Sequence, residues 1–175
     1  MRRIGYFFGG TFVLVYGDVI TDFNLRPMFE FHREKGALAT LAVMRASNPT
    51  EVGVVQVSED SRIMGLVEKP PKGTEAGNLS SGGIYVMERE VLDYIPKKGF
   101  CDFAYDIFPS LIEAGLPVYG YILDSHDYLI DIGTPEKYCR AEKDNKAGSQ
   151  ELLLGKRAIF LDRDDIIISD ARYCH

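Results

Sequence analysis

The residues of this chain best placed for chemistry are carboxylates that follow apolar runs. Asp18 comes after Thr11-Phe12-Val13-Leu14-Val15-Tyr16-Gly17, which is apolar, β-branched or aromatic from Phe12 to Tyr16 and carries no charge. Such a run reads as a strand covered by helices on both faces. Gly17 lets the backbone turn sharply. Asp18 then stands just past the carboxyl end of the strand, where open α/β sheets bind ligands. A carboxylate there either caps a turn or holds a Mg²⁺ ion against phosphates. Asp131 occupies a second place of this kind, between apolar Tyr128-Leu129-Ile130 and a helix start at Thr134-Pro135-Glu136. Glu68-Lys69 sets an acid beside a base at a strand end, because Pro70 keeps Lys69 extended and stops the strand. That pair is either solvated at a sheet edge or binds a sugar and a phosphate. A last strand-like run, Lys156-Arg157-Ala158-Ile159-Phe160-Leu161, ends in Asp162-Arg163-Asp164-Asp165.

The elements that must position these groups follow from spacing. Asn24 caps a predicted helix to about Lys35, with Leu25, Met28, Phe29 and His32 as its inner stripe and Gly36 as its stop. His32 on that stripe is a core or boundary histidine. A strand is expected over Leu38–Met44. Gly53–Val57 and Arg62–Val67 form a hairpin with Ser58-Glu59-Asp60-Ser61 at its tip. A polar loop from Lys72 to Asn78 leads to Ser80-Ser81-Gly82-Gly83-Ile84-Tyr85-Val86-Met87, a strand whose paired glycines imply close approach by a ligand or another segment. A short helix from Glu88 to Ile95 ends at Pro96. Ala104, Ile107, Phe108, Leu111 and Ile112 recur at helical spacing, with Pro109 kinking or restarting the helix. Val118–Leu123 is another strand. Thr134 is a good N-cap, Pro135 suits the first helical position, and Glu136 favours the positive helix end.

Composition bounds the function classes. The 175 residues are 46% hydrophobic and 26% charged, ordinary for a globular chain with a real core. A net charge of −6 argues against a nucleic-acid partner. No apolar run is long enough to span a bilayer, and the basic-then-apolar start is too short and glycine-broken for a convincing signal peptide. Cys101, Cys139 and Cys174 are odd in number and far apart, which points to reduced thiols and a cytoplasmic location.

Gly17-Asp18, Glu68-Lys69-Pro70, Ser81-Gly82-Gly83-Ile84-Tyr85 and Asp131-Ile132-Gly133-Thr134-Pro135 occur in one order over roughly residues 11 to 145. That ordered set resembles the sugar-1-phosphate nucleotidyltransferases of the mannose- and glucose-1-phosphate type. The resemblance implies an α/β fold like the later part of a Rossmann-like nucleotidyltransferase, a mostly parallel sheet with helices on both faces. It implies transfer of a nucleotidyl group from a nucleoside triphosphate to a sugar 1-phosphate, with release of pyrophosphate. It makes Asp18 and Asp131 the catalytic Mg²⁺ ligands. It puts Gly17, Glu68, Lys69, Ser81 and Gly83 at the substrates, with Glu68 on sugar hydroxyls, Lys69 on the sugar phosphate and the backbone near Gly83 against the sugar. Many relatives carry Asn where this chain has Ser81.

The family also opens with a G-x-G-T-R-L loop and a Pro-Lys pair that cradle the triphosphate. Arg2, Arg3 and Gly9-Gly10 do not match it. The expectation is a nucleotidyltransferase-like unit over 1–147, truncated at its amino end and impaired in turnover, with a non-catalytic sugar-phosphate-binding or assembly module as the alternative. Ala158–Asp164 resembles the first motif of haloacid-dehalogenase-type phosphatases of the heptose bisphosphate branch. That resemblance makes Asp162 and Asp164 a vestigial nucleophile and acid/base pair, in a stub over 156–175 after a linker over 148–155, and mildly favours a heptose-type sugar. A sheet edge left open by missing first strands predicts self-association as a homo-oligomer or poor solubility.

Overall fold

Strand β1 (Phe12–Tyr16) shows why its sequence carries no polar face. Phe12 and Leu14 enter one apolar cluster, while Val15, with Val13 packed beside it, enters a second on the opposite side of the sheet. Successive side chains of a strand point to opposite faces, and here both faces are covered. A computed structural model describes residues 9–46, 53–68, 78–96, 99–146 and 159–161 of the chain.

β1 is followed by β2 (Val19–Thr21), α1 (Leu25–Glu34), β3 (Ala39–Arg45), β4 (Gly53–Val57), β5 (Ile63–Glu68) and β6 (Leu79–Met87). A 3₁₀ turn (Arg89–Tyr94) and a π-type turn (Phe103–Ile107) lead into α2 (Phe108–Glu113), β7 (Val118–Ile122), β8 (Leu129–Asp131), α3 (Pro135–Lys146) and β9 (Ile159–Leu161). The main sheet is mixed. β1, β3, β4, β7 and β9 run one way, whereas β5 and β6 run against them. By direction the strands are mostly parallel, as expected, yet β6 in the centre pairs antiparallel with β1, β3 and β4.

The helices take opposite faces. Met28 of α1 is fully buried with Val15, Ala42, Ile84 and Val86. Phe108 and Leu111 of α2 pack with Leu14, Leu41, Val43, Tyr85 and Met87. Burying one such aliphatic or aromatic side chain contributes about 1.5–3 kcal/mol before entropy is counted. Asn24 caps α1 as expected, its Oδ1 accepting the Arg26 N–H at 3.0 Å, and Gly36 leaves the helix at φ +56°. His32 is a core histidine: its Nδ1 meets Thr40 Oγ1 at 2.8 Å and its Nε2 meets Glu88 Oε1 at 3.2 Å.

Of the two outcomes expected at Pro109, a kink or a restart, residues 104–112 take the restart. Pro109 has no N–H to give, so α2 restarts at Phe108 with proline in its first turn, after a π-type turn capped by Asp102. Glu88–Ile95 winds only as the 3₁₀ turn.

The second sheet is a two-stranded ribbon of β2 and β8. Its register sets Val19 against Asp131 and Thr21 against Leu129. The far end is fastened by Thr21 Oγ1 donating to Tyr128 O at 2.7 Å and by the Tyr128 N–H donating to Asp22 Oδ1 at 2.9 Å. The paired glycines of β6 let this ribbon lie against the main sheet. A Cβ on Gly82 would fall 2.9 Å from Leu129 Cδ1. Gly83 has φ +72°, and a Cβ there would meet Val19 Cγ2 at 3.0 Å and Tyr16 Cβ at 3.4 Å. The close approach is therefore by the chain's own segments. The side of β1 away from β6 carries β9, paired in parallel with Leu14, Val15 and Tyr16.

Candidate active site

Asp18 belongs to the turn between β1 and β2, and Asp131 is the last residue of β8. The ribbon closes the sequence distance between them, and the Ile132 N–H donating to Asp18 O at 2.8 Å locks the two chain segments together. Gly133 marks where their carboxylates converge. A Cβ on Gly133 would lie 2.9 Å from Asp131 Oδ1 and 3.4 Å from Asp18 Oδ2. Two oxygens from distant parts of the chain thus flank one point that a side chain would fill. Hard oxygen donors converging in this way fit a divalent cation such as Mg²⁺, which takes one or two carboxylates and completes its shell with water and phosphate oxygens.

Asp131 is oriented by its neighbours. Gly133 N–H donates to its Oδ1 at 2.6 Å, and the Lys137 ammonium donates to its Oδ2 at 2.7 Å. Lys137 reaches it from the first turn of α3, which Thr134 starts: Thr134 Oγ1 accepts the Lys137 N–H at 3.4 Å. Sequence reasoning missed Lys137. The available signal was a lysine at the positive end of a helix, where cations are disfavoured, six residues after a candidate ligand.

The other expected site residues are distributed around this pair. Gly17 shares the turn with Asp18. Gly83 lies against Tyr16 and Val19, the residues that flank Gly17-Asp18. Ser81 Oγ is 3.1 Å from the Tyr85 hydroxyl and accepts the Gly83 N–H at 3.4 Å, so it is engaged within β6. The Tyr16 ring meets Tyr85 edge-on at 5.5 Å. Burial pushes both phenols well above the usual tyrosine range, with Asp102 and Asp18 adding to it. The sequence placed Tyr16 and Tyr85 on two separate strands and did not show that their rings meet. Glu68 ends β5, its backbone opposite Gly53. Lys69, Arg2, Arg3, Asp162 and Asp164 lie outside the described residues.

Another group of metal-ligating type among the described residues is Asp124, His126 and Asp127, whose ligand atoms lie within 4.8 Å of one another. The group is a largely exposed turn closed by the Asp124 N–H donating to Asp127 Oδ2 at 2.9 Å. No helix among the described residues is long and apolar enough to cross a membrane.

A mixed α/β sheet with two carboxylates gathered beside it defines a class, and comparison with known proteins gives its family. The chain belongs to the nucleotidyl transferase family, whose model matches residues 4–148. It is 37% identical over 145 residues to a UTP–glucose-1-phosphate uridylyltransferase from Synechocystis, a match covering 81% of this chain and 36% of that protein. It is 33% identical over 165 residues to a mannose-1-phosphate guanylyltransferase from Mycobacterium tuberculosis, covering 91% of this chain and 44% of that one. The chain thus spans less than half the length of these two relatives. Among solved structures, a putative glucose-1-phosphate thymidylyltransferase from Bacillus anthracis superposes with a TM-score of 0.71 at 20% identity, covering 86% of this chain and 61% of the other. HddC from Yersinia pseudotuberculosis gives 0.67 at 19% identity, covering 82% and 60%. At those identities the likeness is one of fold.

Proposed function

We propose that this chain carries the sugar-phosphate and metal side of a site for nucleotidyl transfer from a nucleoside triphosphate to a sugar 1-phosphate. The observation that carries the reading is the convergence of the Asp18 and Asp131 carboxylates on Gly133. In the reaction a phosphate oxygen of the sugar 1-phosphate forms a bond to the α-phosphorus of the triphosphate. The bond from that phosphorus to the bridging oxygen breaks, and pyrophosphate leaves with the electron pair. Mg²⁺, when bound, neutralises charge that otherwise repels the attacking phosphate. The chain's own part is positioning. Asp18 and Asp131 hold the cation at the end of β1. Glu68 and Lys69 take the sugar hydroxyls and the sugar phosphate, and Gly17, Ser81 and Gly83 border the substrates. Family membership and the names of the two relatives support the substrate classes. We read Asp162 and Asp164 as the first motif of a phosphatase-type segment over 156–175, and the protein as a cytoplasmic homo-oligomer.

Calorimetry tests the sugar side. Glucose, mannose and heptose 1-phosphates are titrated into the protein with and without Mg²⁺, for wild type and Asp131→Asn. Binding of one of them that strengthens with Mg²⁺ in wild type alone supports the reading. Binding indifferent to Mg²⁺, or unchanged in Asp131→Asn, removes these carboxylates from the site.

A further inference from the structure

Lys137 sets a positive charge against the carboxylate pair on which the proposed function rests. Its ammonium lies 2.7 Å from Asp131 Oδ2, while the other oxygen of that carboxylate takes the Gly133 N–H at 2.6 Å. Both oxygens of Asp131 are therefore already engaged by donors. Asp18 Oδ2 lies 3.4 Å from the point that a Cβ on Gly133 would fill. Two carboxylates brought this close repel each other, and a nearby cation relieves the repulsion.

The location of Lys137 strengthens the argument. It stands in the first turn of α3, whose entry residues are Thr134, Pro135 and Glu136. A cation at that end opposes the helix dipole, whereas an anion such as Glu136 gains from it. Lys137 tolerates the position because its side chain reaches back along the turn to Asp131. Lysine suits the task, since its compact ammonium acts as a point charge on a flexible stem. Both partners are partly exposed, at 46% for Lys137 and 38% for Asp131, so the pair is exchangeable rather than locked.

We infer that Lys137 is a built-in counter-cation of the Asp18–Asp131 pair, competing with the divalent ion for Asp131 Oδ2 and thereby setting the metal affinity of the site. This rests on the reading that the pair holds Mg²⁺. The ammonium keeps the carboxylates together and weakens the metal by the strength of one partly exposed ion pair. Removing the charge while keeping the aliphatic stem therefore tightens Mg²⁺ binding about two- to five-fold.

The test is a Mg²⁺ titration of the full chain followed at the backbone amides of Asp18 and Gly133 by NMR, which needs no turnover. Wild type, Lys137→Met, Lys137→Gln and Lys137→Arg are compared. The inference expects both neutral variants to bind two- to five-fold more tightly and Lys137→Arg to stay within two-fold of wild type. Saturable shifts in wild type with equal or weaker binding in the neutral variants overturn the counter-cation role and leave the Mg²⁺ reading standing. No shift at either amide in any of the four proteins overturns the Mg²⁺ reading and the inference with it.

Discussion

Substitution of Gly133 by alanine separates the integrity of the fold from that of the site. Its backbone does not adopt a positive φ, so alanine adds no conformational strain there. The added Cβ lands 2.9 Å from Asp131 Oδ1, whereas ordinary contact begins near 3.4 Å. The carboxylate must therefore retreat by about half an ångström or rotate away. Either movement stretches the 2.6 Å hydrogen bond from Gly133 N–H and shifts Oδ1 from its place near Asp18 Oδ2. Disturbing the group that orients a metal-binding carboxylate typically costs about 10–100-fold in affinity; the lower end, about ten-fold, applies here because the carboxylate itself remains. Stability moves the other way or hardly at all: glycine to alanine at a compatible position gains about 0.4–1 kcal/mol from the unfolded state, offset by the crowding. Urea unfolding and a Mg²⁺ titration by NMR read the two effects on one sample. Gly10→Ala is the control, since a Cβ there meets nothing within 4 Å. A Gly133→Ala protein that binds Mg²⁺ as wild type does refutes the convergence argument. One that loses several kcal/mol of stability shows that the glycine serves the fold instead.

Other perturbations address the scaffold. Gly83→Ala forces a non-glycine residue to φ +72° and sets a Cβ 3.0 Å from Val19 Cγ2; it should cost about 1–3 kcal/mol in urea unfolding. Asn24→Ala removes the cap of α1 and should cost about 1 kcal/mol by the same assay. Burial lowers the His32 pKa below its ordinary value, although the Glu88 carboxylate pulls the other way. The folded state thus takes up a proton less readily than the unfolded chain, and stability is lost as pH falls below about 6.5 towards the folded value. His32→Gln should flatten the dependence of Tm on pH between 7 and 5.5, and an unchanged slope would place the acid sensitivity elsewhere. Light scattering tests the homo-oligomer: a monodisperse monomer contradicts it.

What was legible in the sequence follows from how local each signal is. The uncharged run Phe12–Tyr16, the cap Asn24, the stop Gly36 and the Ser58–Ser61 tip each act within a few residues, and each forms as its chemistry dictates. The antiparallel insertion of β6 was not legible, because a strand buried on both faces reads alike in either direction. Pro109 announced a break, but not that a π-type turn would precede it. Asp18 and Asp131 were each visible as a carboxylate after an apolar run, and order along the chain linked them to one family. Their meeting at Gly133 depends on the β2–β8 register, a three-residue pairing with no sequence signature of its own. Lys137 left only the signal of a lysine in a helix's first turn, and its partner is set once α3 brings that turn back to the end of β8.

The most direct measurement is pyrophosphate release by the whole chain with Mg²⁺, across a panel of nucleoside triphosphates and sugar 1-phosphates, for wild type, Asp18→Asn and Asp131→Asn. The account predicts Mg²⁺-dependent release from at least one pair of substrates by wild type, lost in both variants. Folded protein that releases none, or release that survives either substitution, contradicts it.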